Sequence, residues 1–303
     1  GFENDYFFGD YIGNAIYHLE PNGSRTGVTG GATTFVSSAG GPVDIIFGPD
    51  GALYYVAIFT GEVRRVAPLA PPSDVDAYLC TKAALARGQT PLPKGTTTSL
   101  SDDLVPGPLS YDVRKATSFC TPVSVNGSTI VEGGAHHEGF SVKRVQGSPK
   151  FVKGLVSTSD QFGSRNLFLT QETSLLVPSS AVLGSGGAPP YALSSVDHYK
   201  CYRANLATGS PKFVVPPSPT VSDGLIYPLG QSLALKKPTR YCEPVAADGS
   251  TIGIPATKLV CYGAKLPTGT KYAKGEVSTN NPDFGDDVLL TTAVSELCVP
   301  ASV

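Results

Sequence analysis

The chain has 303 residues, a net charge of −2 and only 16% charged residues. No basic stripe is present to neutralise phosphates, and no run of 18 apolar residues is present to span a membrane, so neither nucleic acid nor a membrane span is expected. The 34 glycines and 26 prolines, with abundant Thr, Ser and Val, predict an all-β protein of short strands and turns.

Residues 1–66 alternate short apolar segments with turn signals, which predicts an antiparallel β-meander. The turn signals are Pro21-Asn22-Gly23, Gly40-Gly41-Pro42, Pro49-Asp50-Gly51 and Thr60-Gly61. The predicted strands are Tyr6–Tyr11, Ala15–Leu19, Thr33–Val36, Val43–Phe47, Leu53–Ile58 and Glu62–Val66.

Two segments of this region carry a family resemblance. AGGPVDIIFGPDGALYYVAIFTGEVRRV resembles a late blade of the quinoprotein (PQQ-dependent) sugar dehydrogenase type of β-propeller, and YFFGDYIGNAIYHLEPNG resembles the end of the blade before it. The resemblance covers only residues 1–66 and implies an incomplete propeller, because six strands supply about one and a half four-stranded blades. The blades that carry the quinone, calcium and catalytic histidine of that family are not in this sequence, so no functional residue is carried over.

The remaining sequence is one module written twice. A proline-rich linker (67–73) precedes the first copy (74–182), and a Gly/Pro linker (183–193) precedes the second (194–303). DVDAYLCTKA returns as SVDHYKCYRA, and VRKATSFCTPVSVNGSTI returns as LKKPTRYCEPVAADGSTI, at offsets of 121 and 122 residues, which indicates a duplication. Each copy is expected to form a disulfide-bonded, β-sandwich-like module. Such modules resemble uncharacterised repeats of secreted bacterial proteins.

The duplication predicts how the six cysteines pair. Cys80 and Cys120 of the first copy have counterparts in the second, whereas the alignment places Ser141 and Leu176 where the second copy has two further cysteines. Cysteines that lack counterparts together are expected to bond to each other. The predicted disulfides are Cys80–Cys120, Cys201–Cys242 and Cys261–Cys298. With the absence of Met, they favour a secreted mature chain whose signal or pro-segment has been removed.

The cluster His136-His137-Glu138 most resembles a metal or acid–base site. Adjacent residues of a strand point to opposite faces, so the two histidines do not readily bind one ion. The second copy has Ala256-Thr257-Lys258 there. A solvated loop is therefore the favoured interpretation.

Acidic residues in corresponding turns of the two copies are alternative calcium ligands, because calcium prefers oxygen ligands. They lack the dense alternation of a calcium loop, so hydrogen bonding to turn amides is the favoured interpretation. We predict no metal and no cofactor. The residues are Asp160, Asp283, Asp286 and Asp287.

Asn22-Gly23-Ser24 and Asn126-Gly127-Ser128 fit a glycosylation acceptor. The second copy replaces the latter by Asp248-Gly249-Ser250, which favours a tight hairpin and leaves glycan attachment open. Tyrosines near the cysteines offer either a sugar-stacking face or, as the favoured interpretation, packing over the disulfides. These are Tyr78, Tyr199, Tyr202, Tyr241 and Tyr262.

No nucleophile elbow, phosphate-binding loop or zinc-protease motif occurs in the sequence, and His198 aligns with Ala77, so no enzyme activity is predicted. The favoured function is a non-catalytic extracellular structural protein, a subunit of a secreted or cell-surface fibre that self-associates through unpaired N-terminal strands. The alternative is the C-terminal part of a secreted PQQ-dependent sugar dehydrogenase with appended modules that bind polysaccharide or the cell surface. A third hypothesis is a module that binds sugar or protein ligands.

Overall fold

A computed structural model describes residues 5–47, 53–66, 75–191, 196–210 and 212–303. Every regular element in these ranges is a β-strand, which confirms the all-β class. None of the described residues forms a helix of the length and apolarity needed to cross a membrane. The chain divides into two compact units, Gly1–Leu69 and Ala70–Val303. The predicted linker at 67–73 lies outside the described residues.

The N-terminal unit contains two three-stranded antiparallel sheets of order β1-β2-β3 and β4-β5-β6. All six predicted strands are present within one residue of their predicted bounds, and the predicted turn at Pro49 lies outside the described residues. The strands are β1 (Tyr6–Asp10), β2 (Ala15–Leu19), β3 (Thr33–Val36), β4 (Pro42–Phe47), β5 (Leu53–Ala57) and β6 (Glu62–Val66). Whether they belong to a propeller stays a prediction.

The two sheets meet where β1 lies against β4. A side chain at Gly9 would lie 3.1 Å from both the Pro42 carbonyl oxygen and Ile45 Cδ1, so the absent Cβ permits this close approach. The Asn14 side-chain oxygen accepts hydrogen bonds from the Gly40 and Gly41 amides, at 2.6 and 3.0 Å. Strands β3 and β6 are the outer edges, and among the described residues each pairs with one neighbour only.

The C-terminal unit contains thirteen strands. The first copy contributes β7 (Ala77–Leu85), β8 (Thr97–Asp102), β9 (Val105–Val125), β10 (His136–Arg144), β11 (Gly154–Asp160) and β12 (Gly163–Leu183). The second copy contributes β13 (His198–Leu206), β14 (Thr220–Ser222), β15 (Gln231–Ser232), β16 (Ala234–Ala247), β17 (Lys258–Lys265), β18 (Gly275–Asn281) and β19 (Gly285–Ser302).

Antiparallel pairings close these strands into two six-stranded rings. The first ring runs β9-β10-β12-β18-β19-β7 and returns to β9. The second ring runs β16-β17-β19-β11-β12-β13 and returns to β16. Each ring takes its last hairpin from the other copy: β18–β19 completes the first ring, and β11–β12 completes the second.

This exchange corrects the expectation of two sequential sandwich-like modules at 74–182 and 194–303. Strands β12 and β19 have 21 and 18 residues, and at about 3.3 Å per residue each is long enough to run through both rings. The offset of 121–122 residues between the two copies does not depend on whether a hairpin pairs within its own copy or with the other copy, so the repeat alone could not reveal the exchange. The boundaries therefore describe the repeat and not two folding units.

The predicted linker at 183–193 also differs in the structure. Strand β12 continues to Leu183, and the next residues lie along β18: the Gly184 amide bonds the Glu276 carbonyl at 2.8 Å, and the Tyr191 amide bonds Asn280 Oδ1 at 2.6 Å. Residues 192–195 lie outside the described ranges. The segment 184–191 is thus held against β18 by hydrogen bonds.

The repeated Val-Asp pair anchors equivalent loops in the two copies. The Asp76 carboxylate accepts hydrogen bonds from the amides of Val131 and Glu132, at 2.6 and 2.8 Å. Asp197 accepts them from Gly253 and Ile254, at 2.7 and 2.8 Å. One acidic residue before each first strand therefore fixes the loop that follows β9 or β16.

Each ring has its own buried apolar core, to which all six of its strands contribute. The first-ring core includes Ala83, Tyr111, Phe119, Phe140, Leu175, Val277 and Leu289. The second-ring core includes Val156, Leu167, Ala204, Tyr241, Tyr262 and Leu297. Phe119 and Tyr241 occupy equivalent positions, as do Phe140 and Tyr262, so the cores are related by the repeat.

Candidate functional site

The six cysteines form a buried row of sulfur atoms. The structure contains the three predicted disulfides, each between directly opposed residues of neighbouring strands. The Cys80 and Cys298 sulfurs of two different disulfides lie 3.8 Å apart, and those of Cys242 and Cys261 lie 3.9 Å apart. The disulfide Cys261–Cys298 therefore lies between the other two and contacts both. Three disulfides indicate an oxidising setting for the protein.

One position of the cysteine alignment is corrected. The strand pair equivalent to Cys261–Cys298 is Gly139–Leu176. Leu176 is the residue expected, whereas Gly139 lies two residues before the expected Ser141. A Cβ at Gly139 would lie 2.0 Å from Ser118 Oγ and 3.1 Å from Leu176 Cδ2, so a larger residue here would require both side chains to move. Leu176 belongs to the same buried cluster as the six cysteines. An apolar side chain thus occupies the place of a fourth disulfide.

The residues His136, His137 and Glu138 are not a solvated loop. They begin strand β10, between β9 and β12, and each is at most 5% exposed. Because both neighbouring strands are present, all three side chains are covered despite their polarity. The alternation holds: His136 stacks on Phe119, whereas His137 lies between Tyr78 and Tyr199.

Burial changes the acid–base properties of this strand. Loss of solvent lowers the pKa of His136 to about 4 and that of His137 to about 3, so both imidazoles are neutral at pH 7. The His137 ring contacts the Asp197 carbonyl oxygen through Nε2 at 3.0 Å. Burial and the nearby Asp287 carboxylate raise the pKa of Glu138 well above its ordinary value. Glu138 Oε2 accepts hydrogen bonds from Thr279 and Asn281.

The four aspartates considered as calcium ligands have different partners. Asp160 accepts hydrogen bonds from the Phe162 amide and the Tyr262 hydroxyl, at 2.7 and 2.6 Å. The other contacts are Asp283 with His198, Asp286 with Asn280, and Asp287 with Glu138. Within the described ranges, the metal-ligand atoms close enough to share one ion belong to Cys261, Glu296 and Cys298, and both of these thiols are in a disulfide.

The tyrosines follow the predicted packing only in part. Tyr78 and Tyr199 lie in the cluster that contains the cysteines. Tyr202, Tyr241 and Tyr262 lie in the second-ring core, where each donates a hydrogen bond to a carboxylate. All five are at most 1% exposed, so none of them offers a face for a sugar.

A buried ionic network was not predicted from the sequence. The Lys200 ammonium is fully buried, 3.0 Å from Asp102 Oδ2 and 3.5 Å from Glu172 Oε1. Glu172 also accepts hydrogen bonds from Tyr111 and Arg144, both at 2.6 Å. The alternation of Tyr199-Lys200-Cys201-Tyr202 could have indicated the burial of Lys200. Lys200 lies on the face opposite Cys201 and on the same face as Tyr202, so an apolar tyrosine on that face is a sign that the face is covered.

A tight turn follows β9 and β16 as predicted, but neither turn is the loop of a tight hairpin, because the next strands begin only at His136 and Lys258. Asn126 and Gly127 both have positive φ, 53° and 86°, as do Asp248 and Gly249 in the second copy, 50° and 84°. Positive φ at both central residues is the type I′ geometry that Asn-Gly and Asp-Gly favour. Asn126 Oδ1 also accepts a hydrogen bond from the Thr220 amide at 3.0 Å.

The N-terminal unit exposes a disproportionate apolar surface. Nine of its 57 described residues are large exposed hydrophobic residues, against eleven of 224 in the C-terminal unit. The nine are Tyr6, Tyr11, Ile12, Val28, Ile46, Phe47, Ile58, Phe59 and Val63. One of the nine, Val63, lies in the edge strand β6. Exposed apolar residues at an open sheet edge are typical of interaction surfaces.

No known protein family, curated protein or solved structure matches this chain.

Proposed function

We propose that the protein is a non-catalytic extracellular structural subunit that self-associates through its N-terminal strands into a secreted or cell-surface polymer. The observation that carries the proposal is the contrast between two closed rings and one open unit. The disulfides support an extracellular location, because such bonds persist in oxidising compartments.

The two outer edges of the N-terminal unit have different chemistry. Strand β3 is uncharged (Thr-Thr-Phe-Val), whereas β6 carries Glu62, Arg64 and Arg65. An edge strand presents unpaired backbone donors and acceptors to any second strand. Pairing β3 of one copy with β6 of the next is a head-to-tail contact, and a head-to-tail contact that does not close on itself generates a fibre.

A lysine on the β6 edge tests this proposal. The Val63 side chain is 73% exposed, so Val63→Lys leaves the fold intact and places a charge where an apolar contact is expected. We expect the wild-type chain to form concentration-dependent assemblies in multi-angle light scattering and filaments in negative-stain electron microscopy. The variant should need at least ten times the concentration to assemble.

Val152→Lys is the matched control, because Val152 is 84% exposed and belongs to the C-terminal unit. It should assemble like the wild type. A wild-type chain that stays monomeric at every concentration, or equal losses in both variants, would overturn the proposal.

The alternative is the C-terminal part of a secreted PQQ-dependent sugar dehydrogenase, in which strands from elsewhere in a longer polypeptide cover the same edges. The blade-like motif of 39–66 favours it. Intact mass of the natural secreted protein separates the two: a much larger polypeptide in discrete particles with quinone-dependent dye reduction supports the enzyme, and filaments support the structural subunit.

A further inference from the structure

The two rings have equivalent corners that differ in one charged residue. Arg165 of β12 is paired with Thr158, and Asp287 of β19 is paired with Thr279, at the same position after the repeated Phe-Gly turn. The second ring thus has a guanidinium where the first ring has a carboxylate.

In the second ring, Arg165 fills this corner from within the chain. Its guanidinium carbon lies 5.0 Å from the centre of the Tyr262 ring and 5.7 Å from that of Phe213. Its Nη2 lies 3.4 Å from Asp160 Oδ1. The cation is therefore held between aromatic rings and a buried carboxylate, an environment that suits a planar guanidinium.

The corresponding corner of the first ring keeps the aromatic floor, and Asp287 stands there at the position of Arg165. Phe140 and Phe284 pack edge to face at 4.9 Å, as Tyr262 and Phe162 do at 5.1 Å. The segment after β7 (86–96) contains no aromatic residue to match Phe213, which lies in the equivalent segment after β13. A cleft of 390 Å³ opens here instead. Leu85, Leu92, Phe140 and Asp287 line it.

Charged side chains of both signs line the cleft. Asp287 lines it, and the buried Glu138 lies directly behind Asp287. Lys94, Arg114 and Lys115 also line it, together with Asp112, whose carboxylate lies 4.0 Å from the Arg114 guanidinium. A carboxylate next to an apolar wall favours a cation of low hydration, and the basic side chains favour an anionic group at the other end of the same ligand.

We propose that the first-ring cleft binds the guanidinium group of a ligand that also carries a carboxylate, with the guanidinium against Asp287 and the carboxylate towards Lys94, Arg114 and Lys115. The ligand places a guanidinium group in the first-ring cleft, as the Arg165 side chain does in the corresponding corner of the second ring. The ligand is either a free guanidino amino acid or an arginine at the carboxyl end of a peptide, and both present the same chemistry.

Isothermal titration calorimetry on the full chain tests the ligand class. The probes are L-arginine, L-citrulline, agmatine and a Gly-Gly-Arg peptide with a free carboxyl end. We expect L-arginine to bind at least ten times more tightly than citrulline, which lacks the cation, and than agmatine, which lacks the carboxylate. Tighter binding of the peptide than of L-arginine assigns the ligand to a peptide end, and the reverse assigns it to a free amino acid.

Variants of β19 test the position of the site. Asp287→Asn should weaken L-arginine binding at least tenfold, and Asp287→Arg should abolish it by placing an internal guanidinium in the cleft. Asp286→Asn is the matched control, because Asp286 is exposed and bonds Asn280; it should bind like the wild type. Circular dichroism confirms that each variant is folded. No binding of L-arginine or the peptide, equal binding of citrulline, or equal effects at Asp286 and Asp287 would overturn the proposal.

Discussion

The first and second rings are built from the same repeat, yet equivalent buried positions carry charged residues in one core and apolar residues in the other. Lys200 and Glu172 form part of a buried ionic network beside Tyr111 of the first-ring core. Their equivalents, Leu79 and Val294, are apolar members of the second-ring core. Equivalent strands therefore pair in the same way around an ionic pair in one core and an apolar pair in the other.

The two rings also differ in covalent links. Cys261–Cys298 joins β17 to β19, whereas the equivalent pair of β10 and β12 is Gly139–Leu176. The same strand junction therefore closes with a disulfide in one place and with packing in the other. Variants at three sites, each of which gives one ring the residues of the other, test whether the equivalent residues are interchangeable.

The largest effect is expected at Lys200. Lys200→Leu copies Leu79 but leaves Asp102 and Glu172 with less compensation in a buried site, which should lower the free energy of unfolding by about 3–5 kcal/mol. Urea denaturation measures the loss.

The double variant Lys200→Leu/Glu172→Val copies the apolar pair of the other core. It should lose less than the sum of the two single losses, because the attraction between Lys200 and Glu172 is lost in each single variant and only once in the double variant. Lys94→Leu, outside the network, is the control and should change stability little. A double variant that loses the sum of the two single losses would show that the equivalent positions are not interchangeable.

A smaller effect is expected from removing the third disulfide. Cys261→Gly/Cys298→Leu copies the Gly139–Leu176 junction and opens a link between residues 37 apart in sequence, which should lower the free energy of unfolding by about 2–4 kcal/mol. Thermal denaturation under oxidising conditions measures it. Under fully reducing conditions the gap between variant and wild type should shrink, and a gap that persists would assign the loss to packing.

The smallest effect is a dependence on pH. The folded-state pKa of His137 is lowered to about 3 by burial, so the unfolded state binds the proton more tightly, and stability falls as pH drops from about 6.5 towards 3. The structural counterpart of His137 is Leu259 and not the aligned Thr257, because His137 pairs with Pro178 as Leu259 pairs with Pro300. His137→Leu therefore copies the other ring and removes this penalty. Between pH 7 and pH 5 the wild type should therefore lose about 2 kcal/mol more of its free energy of unfolding than the variant loses. Denaturation curves from pH 8 to 5 provide the test, and a constant difference between the two proteins would contradict it.

The sequence predicts local structure and covalent links well where its signal is itself local or repeated. Turn residues at short spacing locate all six strands of the N-terminal unit. The duplication identifies the disulfide partners because a bonded pair is gained or lost together. At Gly139 the prediction fails by two residues, since alignment by letters does not register which residues face each other across strands β10 and β12.

The rest depends on partners distant in the chain. The pattern of β18–β19 is the same whichever copy its hairpin joins, so the exchange is invisible in the repeat. His136, His137 and Glu138 look solvated until strands on both sides cover them. Lys200 looks exposed until Asp102 and Glu172, 98 and 28 residues earlier in the chain, surround its ammonium group. The repeat aligns Arg165 with Asp287, but only the structure shows that Arg165 packs against the Tyr262 ring whereas Asp287 lines a cleft.

The exchanged hairpins have a consequence for synthesis of the chain. Strand β7 pairs with β19, so the first ring, which begins at Ala77, lacks two of its six strands until residues 275–302 have left the ribosome. Until then β7 has no second neighbour, and Cys80 already lies beside its partner while Cys298 is still to be made. The first copy must therefore wait, with an open edge, for the last two strands of the second copy.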